Sequence, residues 1–155
     1  MKLLSQILPP ENVMLDVAVT SKKRALEQVA LLFENNQRLE RANVFDSLFA
    51  RERLGSTGLG HGVAVPHGRI KKTKEPSAAF VRLADPVAFD APDGQPVDIL
   101  LVIVVPEEAT QQHLDILAEV AQRLSDEAVV SALRTETDAT RVHELLTAKS
   151  TSAAL

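Results

Sequence analysis

The residues best suited to chemistry lie in Gly62-Val63-Ala64-Val65-Pro66-His67-Gly68. This heptapeptide sets one imidazole at the end of a short apolar strand, between a proline and a glycine. Imidazole changes charge near neutral pH, and its free ring nitrogen can attack a phosphoryl group. Gly68 would remove side-chain bulk where a donor carried on another protein must approach. Against this stands a plainer reading. Val63, Val65 and His67 alternate, so they point to one side of an extended segment, and a core-facing side would make His67 a structural histidine.

Arg51 and the glycine-rich run Gly55-Ser56-Thr57-Gly58-Leu59-Gly60 precede the heptapeptide. Arg51 is spaced to lie in the last turn of a helix, seven residues after Val44 and three after Leu48. A cation there suits the helix dipole. Its guanidinium fork could equally reach over the glycine loop to a phosphoryl group. Ser56 and Thr57 either donate hydrogen bonds to the same group or form a turn. No Gly-x-Ser-x-Gly elbow surrounds Ser56, which argues against a serine hydrolase. The loop lacks the Gly-Lys-Ser/Thr ending of a Walker motif, so nucleotide binding is disfavoured and no cofactor is expected.

Three further histidines are candidates. His113 shares a helical stripe with Leu117 and Val120, so it is either a buried structural histidine or the partner that orients His67 or a bound phosphate. His61 reads as a solvated loop residue and His143 as plain surface. His61 and His67, six apart and with no cysteine to assist, lack a standard ligand spacing, so no metal is expected.

These residues need elements to position them. Residues 3–8 read as a helical lead-in closed by Pro9-Pro10, and Val13-Met14-Leu15 as a brief strand. Ser21 suits an N-cap for a helix over 22–34, ended by Asn35-Asn36. A helix over 40–53 carries the stripe Val44, Phe45, Leu48 and Phe49 and is capped by Gly55. Residues 62–66 form a strand running into His67, and 69–76 a polar connection. A strand over 78–84 precedes a turn-rich segment from Asp85-Pro86 to Gly94. Ile99–Val105 is an uninterrupted apolar run, as for a strand buried on both faces. A helix begins near Ala109 and runs over 110–125, followed by helices over 127–134 and 138–147 and a frayed tail at 150–155. Strands and helices in alternation predict an α/β fold in a single domain, with helices on both faces of the sheet.

Composition narrows the function. The 155 residues are 45% hydrophobic and 25% charged, the content of a soluble globular domain. Aromatics make up 3%, without Trp or Tyr, and the net charge is −4, which disfavours nucleic acid as a partner. The absence of cysteine excludes a disulfide framework. No secretory signal or membrane-length apolar run is apparent, so a cytoplasmic protein without membrane insertion is expected. Residues 1–74 hold 12 Lys/Arg against 7 Asp/Glu, and residues 75–155 hold 5 against 14. That asymmetry either orients a charged partner or averages out over the folded surface.

Glu52, Leu59-Gly60 and Val63-Ala64-Val65-Pro66-His67-Gly68 together resemble the signature of fructose/mannitol-type (type 2) enzyme IIA domains of the bacterial phosphotransferase system. Ser21-Lys22-Lys23-Arg24-Ala25-Leu26-Glu27, Arg51–Gly60 and Phe89-Asp90-Ala91 through Gln95-Pro96-Val97-Asp98 resemble its nitrogen-regulatory subfamily. The resemblance spans about residues 3–147. It implies a mixed parallel and antiparallel β-sheet flanked by helices. It also implies that Nε2 of His67 accepts a phosphoryl group from a phosphohistidine on an HPr-like carrier. Arg51 and His113 match positions that the family places around that histidine. His61 departs from the pattern, since relatives often carry Asn there.

Three functions follow as expectations. The first is a regulatory phosphocarrier whose phosphorylation state selects the target proteins it binds. The second is a transport component passing phosphate to an enzyme IIB during sugar uptake. The third is a binding module in which His67 is unused.

Overall fold

A computed structural model describes residues 2–108 and 110–148. Helix α1 (Lys2–Ile7) leads through a 3-10 turn at Pro10–Asn12 into strand β1 (Val13–Val17). Helices α2 (Lys22–Gln37) and α3 (Arg41–Leu54) follow. The strands β2 (Gly58–Gly60), β3 (Val63–Ala64), β4 (His67–Ile70), β5 (Ser77–Val87) and β6 (Val97–Pro106) complete the sheet. Helices α4 (Thr110–Leu124), α5 (Glu127–Thr135) and α6 (Ala139–Thr147) close the described chain. Ala109 and the tail at 150–155, where a helix start and fraying are expected, lie outside the described residues.

The sheet is mixed, as the resemblance implies. Its order is β1-β5-β6-β3-β2, with β4 also paired to β6. β5 runs antiparallel to β6, whereas β1 is parallel to β5 and both β3 and β4 are parallel to β6. β6 is central and covered on both faces, which explains its unbroken apolar run. Its Ile99, Leu101, Ile103 and Val105 face a core built with α1, α4, α5 and α6. Leu100, Val102 and Val104 face the second core, under α2 and α3. No helix among the described residues is long and apolar enough to cross a membrane.

Several elements depart from expectation. The strand expected over 62–66 is interrupted: β3 ends at Ala64, and the chain rejoins β6 at His67. The register offset is unchanged across the gap, from Ala64↔Leu100 to His67↔Ile103. Pro66 has no N–H to contribute, and Val65 N–H turns instead to the Thr57 carbonyl at 3.0 Å. Arg69 and Ile70, expected in a polar connection, therefore belong to β4. Strand β5 extends through Asp85-Pro86 to Val87, because a bulge between Arg82 and Val87 accommodates the proline within the strand.

Helix α2 passes Asn35-Asn36 and ends only at Arg38, which adopts a left-handed φ of 58°. The side chains of Asn36 and Gln37 explain the extension, since both bond Asn12 in the preceding 3-10 turn. Ser21 caps the start as expected, its Oγ accepting from Arg24 N–H at 3.1 Å. His143 is not plain surface. It is half-buried, and its Nε2 pairs with the Leu8 carbonyl at 2.8 Å, tying α6 to the end of α1.

Candidate active site

The interruption between β3 and β4 builds the site. β2 begins at Gly58, opposite Ala64, so Val65 lies just beyond the β2–β3 pairing. His67 uses its carbonyl: Nδ1 lies 2.8 Å from Val65 O. A carbonyl oxygen only accepts, so Nδ1 carries the proton and the neutral ring keeps its lone pair on Nε2. His67 opens β4 rather than closing the preceding strand, and it is half-buried. The alternation expected for Val63, Val65 and His67 holds across the gap. Val63 and Val65 enter the core beneath α4, and His67 meets α4 itself.

That meeting is with His113, in the first turn of α4. The two rings stand edge to face, with centroids 5.3 Å apart and planes at 84°. His113 is 7% exposed, and its Nδ1 is buried without a hydrogen-bond partner among the described residues. Burial, above all, pushes its pKa down from 6.5 to about 4, with further lowering by His67, Arg69 and Arg51. Burial likewise holds His67 below its ordinary value; the Val65 bond opposes this, Arg51 reinforces it, and Glu52 opposes it. At neutral pH both rings are therefore uncharged. The pair offers a nucleophilic nitrogen beside a second neutral imidazole.

Arg51 stands where the helical spacing places it, at the end of α3. Its Nη1 donates to the Gly55 carbonyl at 2.9 Å, bending the guanidinium over the start of the glycine loop. The loop's hydroxyls turn inward. Ser56 Oγ donates to Phe89 O at 2.7 Å and accepts from Gly58 N–H at 3.0 Å. Thr57 Oγ1 donates to Glu52, whose carboxylate also accepts Thr57 N–H at 3.2 Å. Neither hydroxyl is directed at His67 by these bonds. Gly68 serves a role the sequence does not reveal. A Cβ there would overlap the Ser47 side chain of α3, on the sheet face opposite His113. The glycine thus admits the helix that carries Arg51.

Glu52 and Arg69 are the residues that spacing alone does not assign a role. Glu52 is 5% exposed, pairs with Lys22 Nζ at 3.2 Å, and anchors the loop beneath Arg51. Lys22 also lies 4.8 Å from the Phe89 ring centroid. An acidic residue near the end of a helix, where the dipole disfavours it, was the available signal. Arg69 was concealed by the expectation that the strand ended at Pro66. His61 is exposed at a φ of 56°; its N–H bonds Asp93 and its carbonyl accepts from Arg134, away from the imidazole pair. Among the described residues, no group of three or more His, Cys, Asp or Glu is placed to hold a metal ion.

Known proteins similar to this chain fall within one family. The family model described as "Phosphoenolpyruvate-dependent sugar phosphotransferase system, EIIA 2" matches residues 6–149. A nitrogen regulatory protein of Pseudomonas aeruginosa is 42% identical over 144 residues, covering 92% of this chain and 94% of that protein. The crystal structure of nitrogen regulatory protein IIA-Ntr from Neisseria meningitidis is 47% identical, with a TM-score of 0.89 over 94% of this chain and 99% of that one. A fructose-specific EIIA component of Haloferax volcanii is 33% identical over 127 residues, or 81% of this chain and 82% of that protein.

Proposed function

The chain belongs to the EIIA 2 family of the phosphoenolpyruvate-dependent sugar phosphotransferase system, and on that premise we propose that it is a regulatory phosphocarrier of the cytoplasm. It accepts a phosphoryl group on His67 from a phosphorylated HPr-like carrier of the nitrogen type. Its phosphorylation state then governs which target proteins it engages. The observation that carries this reading is the 2.8 Å contact between His67 Nδ1 and the Val65 carbonyl. It holds the ring in one orientation and leaves Nε2 as the attacking atom.

In the transfer, the Nε2 lone pair forms a new N–P bond. The N–P bond of the donor phosphohistidine breaks, and its electron pair returns to the donor ring. The Nδ1 proton stays in place, held by Val65. No nucleotide is needed, because the phosphoramidate keeps its transfer potential from one imidazole to the next. Catalysis then rests on positioning and on charges placed around the phosphoryl oxygens. Arg51 supplies one such charge. His113 supplies a neutral donor: a buried N–H without a partner costs more than a buried lone pair, so its proton belongs on Nε2.

The regulatory role over sugar transport is supported by the nitrogen regulatory names of relatives at 42% and 47% identity, against 33% for the fructose-specific protein. Incubation with phosphoenolpyruvate and the general phosphocarriers should add one acid-labile phosphate, and His67→Ala should abolish it. Label retained on another histidine in that variant would overturn the assignment. Rapid passage of the phosphate to a purified enzyme IIB would favour transport instead.

A further inference from the structure

We infer that Arg69 is a second cationic contact for the phosphoryl group, which it grips from the side opposite Arg51. The inference rests on the phosphocarrier reading above and concerns a residue outside the family signature. Along β4, His67 pairs with Ile103 and Arg69 with Val105 of β6. Ile103 and Val105 both face the core beneath α4, so residues 67 and 69 leave the strand on the α4 side, where His113 lies. Gly68 and Ile70 face α3 and the opposite core. The backbone of Arg69 is pinned, its carbonyl accepting from Ser47 Oγ at 2.7 Å. Its exposed guanidinium forms no ion pair with any carboxylate among the described residues.

An arginine so placed has no structural ion pair to break before it turns to an arriving dianion. Arg51 approaches from the end of α3, and Arg69 from the strand itself. The nearest acidic residue along the chain, Glu75, lies in the loop between β4 and β5, and Glu107 and Glu108 occupy the turn after β6, where Glu107 N–H bonds Ile70 O at 3.1 Å. They lie past the end of β4, away from His67. Arg69 also lies near enough to His113 for its charge to help depress that ring's basicity. Two guanidinium groups and the His113 donor would divide the three equatorial oxygens of the moving phosphoryl group between them. The covalent step is unchanged: the N–P bond forms at His67 Nε2 as the donor's N–P bond breaks.

The test compares wild type, Arg69→Ala and Arg69→Lys with two donors, the phosphorylated HPr-like carrier and free phosphoramidate. The small donor removes any contribution from docking of a partner protein. Arg69→Ala should slow phosphorylation roughly tenfold with both donors, the low end for loss of one charge-assisted contact. Arg69→Lys should restore part of the rate. In the unphosphorylated protein, NMR titration of His113 should show a higher pKa in Arg69→Ala than in wild type. Slowing with the carrier alone would make Arg69 a docking residue and overturn the inference, as would unchanged rates with both donors. If wild type accepted phosphate from neither donor, the phosphocarrier reading itself would fail, and the His113 titration would still report whether Arg69 faces the site.

Discussion

His67 and His113 meet edge to face, 5.3 Å between ring centroids, from elements separated by two strands of sequence. One ring is fixed by a backbone carbonyl and keeps a lone pair free. The other is buried, uncharged and leaves one nitrogen unpartnered. Under the proposed function that asymmetry divides their roles: His67 would accept the phosphoryl group, and His113 would steady it.

His113→Ala should therefore lower the phosphotransfer rate by roughly 10–100-fold, the range for loss of a supporting group, while phosphate still appears on His67. Quench-flow with a labelled donor, followed by mapping of the phosphorylated site, measures both. An unchanged rate accompanied by a large drop in thermal stability would reduce His113 to a core residue.

The depressed basicity of His113 has a consequence for stability. In the unfolded chain it titrates near 6.5, and in the folded protein near 4. Between those values the unfolded state binds more protons, so stability is complete above pH 6.5 and declines as the pH falls towards 4. At pH 5 the loss from this group is about 2 kcal/mol. His67, also depressed, acts in the same direction. Urea denaturation at pH 7 and pH 5 should show a smaller acid loss for His113→Gln than for wild type.

Arg51→Lys preserves charge but not the planar fork. It should slow phosphotransfer roughly tenfold, as expected for loss of one hydrogen bond to a charged group. Its stability should stay within about 0.5 kcal/mol of wild type, since the residue is half-buried and its Nη1 bonds a loop carbonyl. Normal rates in this variant would leave Arg51 as a cation serving only the helix end.

Gly68→Ala should destabilise the fold by about 2 kcal/mol, the usual cost of overpacking, because the new methyl group meets Ser47. Ser47→Ala in the same chain should recover part of that loss, since the Ser47 Oγ is the atom nearest the added carbon. Chemical denaturation of the two single variants and the double variant gives the coupling directly. Additive effects would mean that α3 moves aside without strain.

Much of the site was legible because its signals are local. His67 sits in a compact motif, and helical periodicity set His113 inward and placed Arg51 at a helix end. The doubly covered β6 announced itself through its apolar run. Ser21 capped its helix as its residue type suggests. What stayed hidden depended on partners remote in the chain. Pro66 read as the end of a strand, because only β6 can show that the chain rejoins the sheet at His67 in the same register. That continuation is what turns Arg69 to the α4 side of the sheet.

The same division runs through the chemistry. Residue types and spacing settled that an imidazole, a guanidinium and a second imidazole were available, since those properties belong to the side chains and their helical or extended period. Tertiary structure decided which nitrogen is free, by giving Nδ1 of His67 the Val65 carbonyl. It decided that Ser56 and Thr57 bond inward, to Phe89 and Glu52, and that Gly68 makes room for Ser47. Hydrogen bonds and close packing are relations between atoms that folding brings together, so no spacing along the chain encodes them until the sheet and its helices have closed around the histidine.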